Sequence, residues 1–99
     1  MVAITGKLAA SVQVDFDDAS DVVYVSSGDP VPDEGEDRPN GVVLHYSLRD
    51  NAPSGVTVIG LVRNGWGRHL AKLSEIIGQH LNVYPAAVSD AIEKIANRR

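Results

Sequence analysis

Residues 12–25, VQVDFDDASDVVYV, set two alternating apolar runs on either side of a polar knot. Val12, Val14 and Phe16 alternate with Gln13 and Asp15, and the apolar run resumes at Val22 after Asp17, Asp18, Ser20 and Asp21. Successive side chains of a strand point to opposite faces, so two period-two runs with turn-forming residues between them predict a hairpin. The knot invites a second reading, since hard cations take carboxylate oxygens. Its spacing does not support that reading: the alternate acids, sixth-position glycine and closing glutamate of an EF-hand loop are all missing. Asp and Ser satisfy nearby backbone groups in turns, so the expectation is a turn and no metal site.

Working outward, GVVLHYSL from Gly41 puts Val42, Leu44, Tyr46 and Leu48 on one face of a third strand. VTVIGLV from Val56 predicts a fourth, with Val56, Val58 and Val62 on one face and Ile59 and Leu61 on the other. Between them lies the turn-rich RDNAPSG, residues 49–55. VAIT, residues 2–5, is a candidate fifth, edge strand before Gly6. The stretch GDPVPDEGEDRPN, residues 28–40, holds three prolines, two glycines and five acids. Such a composition predicts a disordered surface loop.

After RNGWG the period changes to that of a helix. Leu70, Leu73, Ile77 and Leu81 form one stripe, and Val88, Ala91, Ile92 and Ile95 form another after Pro85. Pro85 suits a first helical turn, and Arg98 and Arg99 suit the negative end of a helix dipole. Strands followed by helices predict an α+β fold: an antiparallel sheet of four, or with VAIT five, strands followed by two C-terminal helices packed on one face. A chain of 99 residues makes one domain, the sheet over about 1–63 and the helical hairpin over about 67–98.

The hydrophobic fraction of 43% and charged fraction of 22% are those of an ordinary globular protein. Absence of cysteine excludes disulfides and thiolate chemistry. No apolar run is long enough for a signal peptide or a membrane span, which predicts a cytoplasmic protein without a membrane partner. The net charge of −4 is unevenly spread. Residues 1–59 carry ten acids against Lys7, Arg38 and Arg49, whereas residues 60–99 carry six bases against three acids. This asymmetry fits either an anionic partner for the basic half or attraction between the halves or between subunits.

Four pieces, Phe16-Asp17, Asp21 with VVYV after it, NGVVLHYSL, and VIGL at Val58–Leu61, together resemble the small bacterial family called domain of unknown function 2283. The resemblance spans roughly residues 12–62. It implies a fold of sheet-forming hairpins and no established activity, and some relatives look like members of toxin and antitoxin gene pairs. His45 and Ser47 stand where that family usually shows acids, and Leu61 and Val62 follow Gly60 where an acid is common.

Chemistry-bearing constellations are sparse. His69 and His80 share a helix face but lie about 16 Å apart at 1.5 Å per residue, too far to share a metal. His45 has no evident carboxylate partner in the sequence, and the eight serines form no nucleophile motif. RNGWGR, residues 63–68, lacks the spacing of a phosphate loop, and its Trp66 is expected to cap the core. Catalytic residues, cofactors and metal ligands are therefore expected to be absent, and an enzyme is the least supported class.

IIGQHLNVYPAAVSDAIEKI, residues 76–95, has the apolar spacing of a helix-turn-helix, with Gly78 as the small residue and Asn82 able to take a left-handed turn. In that reading Tyr84, Ala86, Ser89, Lys94 and Arg98 would contact DNA, although Asp90 and Glu93 would approach phosphates. A helical hairpin packed on a sheet needs the same apolar spacing. Strand four is apolar on both faces, and two helices cover only one, so the surplus face predicts a homodimer or a protein partner bound through Val43, Ile59 and Leu61. The leading expectation is a non-enzymatic protein–protein interaction module, antitoxin-like if the family hint holds. The alternative is a DNA-binding regulator.

Overall fold

Five strands pair in the order β1-β2-β5-β4-β3, every pair antiparallel, in a computed structural model that describes residues 12–27 and 31–96. They are β1 (Gln13–Asp17), β2 (Val22–Ser26), β3 (Asp33–Asp37), β4 (Val42–Ser47) and β5 (Pro53–Ile59). Two helices, α1 (Leu70–Leu81) and α2 (Pro85–Ala96), follow. The molecule is thus α+β, with β5 at the centre of its sheet.

The register explains which residues form the core. Phe16 lies opposite Val23, Val23 opposite Val58, and Val58 opposite Val42, so these four share one face. Val25 and Val56 lie one pleat further along on the same face. Both helices pack there: Leu73, Ile77, Val88 and Ile92 are at most 2% exposed and join the strand valines in one cluster. Burying each such side chain is worth about 1.5–3 kcal/mol, which is why the apolar stripes at helical spacing settle against the sheet instead of projecting from it. Trp66 completes this core from the preceding one-turn helix, donating its indole N–H to the carbonyl of Asn40 at 3.0 Å.

The hairpin of helices is closed by two backbone devices. Asn82 ends α1 in the left-handed conformation (φ 59°), its N–H bonded to the carbonyl of Gly78. Gly78 also lets the chain fold back closely, since a Cβ there would lie 2.7 Å from the carbonyl oxygen of Val83.

Three expectations change. The acidic stretch 28–40 is not a structureless loop across its described part: Asp33–Asp37 form β3, in register with β4 from Asp33 opposite Ser47 to Asp37 opposite Val43. At this edge of the sheet all five residues of β3 are exposed to water, so acids and a glycine are tolerated once the backbone ladder is made. This is the fifth strand; VAIT, residues 2–5, lies outside the described residues. Leu61 does not continue β5 beside Ile59. The strand ends at Ile59, Gly60 takes φ +80°, and Leu61 turns back into the core at 4% exposure while Val62 faces solvent.

That turn has an anchor. Asp21, itself left-handed at φ 60°, accepts the N–H groups of Val62 (2.9 Å) and Arg63 (2.9 Å) on its carboxylate. Its own carbonyl accepts those of Gly60 and Leu61. Asp17 meanwhile takes the N–H of Ser20 at 3.3 Å. The polar knot is therefore a turn, as expected, and one of its acids also fixes the exit from the sheet toward the helices.

Candidate interaction face

Strand alternation sends the remaining side chains to the sheet face opposite the helices. One row runs straight across it: Asp15 opposite Tyr24, Tyr24 opposite Thr57, Thr57 opposite Val43, and Val43 opposite Asp37. A second row is Asp17, Val22 and Ile59, and a third joins Ser26, Gly55, His45 and Gly35. Tyr24 is 47% and Ile59 43% exposed, with Val22, Val43 and Thr57 half-buried among them. Near the middle of the face the apolar side chains of Val22, Tyr24, Ile59 and Val43 surround Thr57, and the margins on β1 and β3 carry Asp15, Asp17, Asp33 and Asp37.

A polar chain crosses one end of this face. The Nε2 of His45 is hydrogen-bonded to the hydroxyl of Thr57 at 2.8 Å. Its Nδ1 lies 3.4 Å from a carboxylate oxygen of Asp33, within ion-pair range when the ring is protonated but off the direction of a hydrogen bond. The hydroxyl of Ser54 donates to the other Asp33 oxygen at 3.3 Å. The carboxylate partner that His45 lacks in the sequence comes from β3, the strand that composition concealed. On the opposite face His80 donates its Nε2–H to the carbonyl of His45 at 3.0 Å and meets the Tyr46 ring edge-on at 5.0 Å. Among the described residues no three His, Asp or Glu side chains come together as a metal site.

Of the expected interface residues, Val43 and Ile59 lie on the open face and Leu61 does not. Tyr24, Val22 and Thr57 belong to that face and were missed. The signal was available, since VVYV places apolar or aromatic side chains on both faces of β2. The residues of the DNA reading lie elsewhere. Tyr84 precedes α2 and is 52% exposed, and Ala86 is exposed in its first turn. Ser89 is half-buried, with its hydroxyl near the carbonyl of Ala86. Lys94 pairs with Asp90 at 3.3 Å, and Arg98 lies outside the described residues. The exposed side of α2 thus presents Ala86, Asp90, Glu93 and Lys94. Among the described residues no helix is long and apolar enough to cross a membrane.

Compared with protein-family models, with curated proteins and with solved structures, the chain matches none.

Proposed function

We propose that this chain is a non-enzymatic protein–protein interaction module that works through the open face of its sheet. The observation that carries the proposal is the cross-sheet row Asp15–Tyr24–Thr57–Val43–Asp37, beside Val22 and Ile59: a mainly apolar centre around Thr57 with a half-exposed aromatic, framed by charge. Interfaces favour such an arrangement, with an aromatic anchor in an apolar centre and a polar rim.

Two further observations favour binding over other activities. Asp33, His45 and Thr57 stand in the order carboxylate, imidazole, hydroxyl, the order of hydroxyl-nucleophile sites. Thr57, however, sits in the central strand with paired neighbours on both sides, and the ladder occupies the backbone N–H groups beside it among the described residues, the groups an oxyanion would need. The second observation concerns DNA: the outer side of α2 offers two acids with one lysine, which opposes approach to phosphates. A cytoplasmic setting belongs to the same proposal, as do kinship with the domain of unknown function 2283 family and an antitoxin-like role, which rest on the sequence motifs.

Site-specific photo-crosslinking in the cells that make the protein tests this reading. A photoreactive residue at Tyr24 is expected to give a discrete protein adduct that Ile59→Asp abolishes, while the same group at Gln79 on α1 gives none. No adduct from position 24, or equal adducts from both positions, would overturn it.

A further inference from the structure

We propose that the partner segment seated on the open face is an amphipathic helix whose apolar stripe is flanked by lysine or arginine. The inference rests on the reading of that face as an interaction surface and adds the chemistry of its occupant.

Width and charge carry it. The apolar centre spans β2, β5 and β4, two strand spacings, or about 10 Å at about 4.8 Å each, which matches the diameter of one α-helix. The acidic margins on β1 and β3 are four spacings, about 19 Å, apart. A helix lying along β5 would meet Tyr24, Val43 and Ile59 with its stripe. Long side chains on its flanks would reach Asp15 and Asp17 on one side and Asp37 on the other. Lys and Arg suit those flanks because their stems cover apolar surface while their heads meet the carboxylates. Strands of five to seven residues give the track a length of about 17–23 Å, three to four helical turns.

The same charges disfavour the other occupants. In a second copy packed face to face with its strands aligned, β1 and β3 margins would lie against β1 and β3 margins, acid on acid, whichever way the two-fold axis runs. His45 is the single basic side chain of the face among the described residues, so phosphate-bearing surfaces also meet repulsion. Arg38, next to β3, is engaged with Glu36 at 3.1 Å.

Three 15-residue peptides provide the test. All share a helix-promoting alanine background. The first has a leucine stripe at helical spacing flanked by lysines. The second has the same stripe flanked by glutamates, and the third keeps the lysines with the leucines scattered. Fluorescence anisotropy gives affinities, and amide chemical shifts of the 15N-labelled chain map the contact. The first peptide is expected to bind at least tenfold more tightly than either of the others, with shifts centred on Val22, Tyr24, Val43, Thr57 and Ile59. Ile59→Ser and the pair Asp15→Asn with Asp37→Asn should each weaken binding severalfold while spectral dispersion shows the fold intact. Equal binding of the glutamate-flanked or scattered peptide, shifts confined to another face, no binding at millimolar concentration, or self-association through Tyr24 would each overturn the inference. If crosslinking from Tyr24 still traps a protein while the lysine peptide fails, the occupant is wrong and the interaction face stands; if both fail, both are wrong.

Discussion

Substituting Gly78 with alanine sets two effects of opposite sign against each other at one atom. In an exposed helix interior, Gly→Ala stabilises by about 0.8–1 kcal/mol through intrinsic propensity. At Gly78 the new Cβ would stand 2.7 Å from the carbonyl oxygen of Val83 and 3.2 Å from the ring of Pro85. The first belongs to the backbone that reverses direction between the helices, and the second to a ring bonded to that backbone at two points, so neither swings aside as a flexible side-chain tip would. Restoring ordinary contact requires that segment to retreat by more than half an ångström, which also strains the bond from the Asn82 N–H to the Gly78 carbonyl. Overpacking of this kind costs about 1–3 kcal/mol. A contact below 3.0 Å with a backbone oxygen belongs in the upper half of that range, about 2–3 kcal/mol, so the clash outweighs propensity, with a net loss of roughly 1–2 kcal/mol and a fall in Tm of several degrees for a chain of this length. Gly67 is the control, because its Cβ position has no heavy atom within 4 Å. Urea denaturation followed by far-ultraviolet circular dichroism measures both variants. A Gly78→Ala protein as stable as the parent, or stabilised like Gly67→Ala, would refute the close approach of the helices at this point.

Other perturbations separate further parts of the account. Ser74 is buried at 1% exposure, with no hydrogen-bond partner for its hydroxyl among the described residues; Ser74→Ala should therefore raise stability by about 0.5–1 kcal/mol, and a loss in the same denaturation assay would reveal a bond not accounted for. Asp21→Ala removes the acceptor of two amides and a residue tolerant of left-handed backbone, so it should cost about 2–3 kcal/mol, against about 1 kcal/mol for Asp21→Asn, which keeps the backbone preference and one acceptor oxygen. Thermal melts that place the two variants together would contradict the role assigned to the carboxylate, as would unchanged hydrogen exchange at Val62 and Arg63.

Much of the fold was legible because periodicity is a property of the core, and the core is where the sequence has least freedom. The two runs of residues 12–25 could bury one face only as a hairpin, and Leu73, Ile77, Val88 and Ile92 could be buried together only on helices. β3 was not legible for the complementary reason. With all five residues exposed to water, its strand character resides in backbone hydrogen bonds to β4, and those leave no mark on an Asp-Glu-Gly-Glu-Asp sequence. Its concealment also hid the partner of His45 and one acidic margin of the open face. Leu61 misled because alternation carried past Ile59, where the positive φ of Gly60 ends the strand and exchanges the faces. Position 21 shows a third kind of blindness: an Asp in a turn reads as solvated, and nothing local announces that its carboxylate holds amides some forty residues away.

Tyr24 and Tyr84 provide the most direct measurement, since they are similarly exposed in the isolated chain, at 47% and 52%, but lie on different parts of the molecule. Hydroxyl-radical footprinting, read by mass spectrometry, compares their oxidation in the purified protein and inside the cells that make it. A partner on the open sheet face predicts that Tyr24 becomes severalfold less reactive in the cell while Tyr84 keeps its reactivity. An unchanged ratio, or protection of Tyr84 with Tyr24 left reactive, would contradict the account, and the second outcome would direct attention to the helix that Tyr84 precedes.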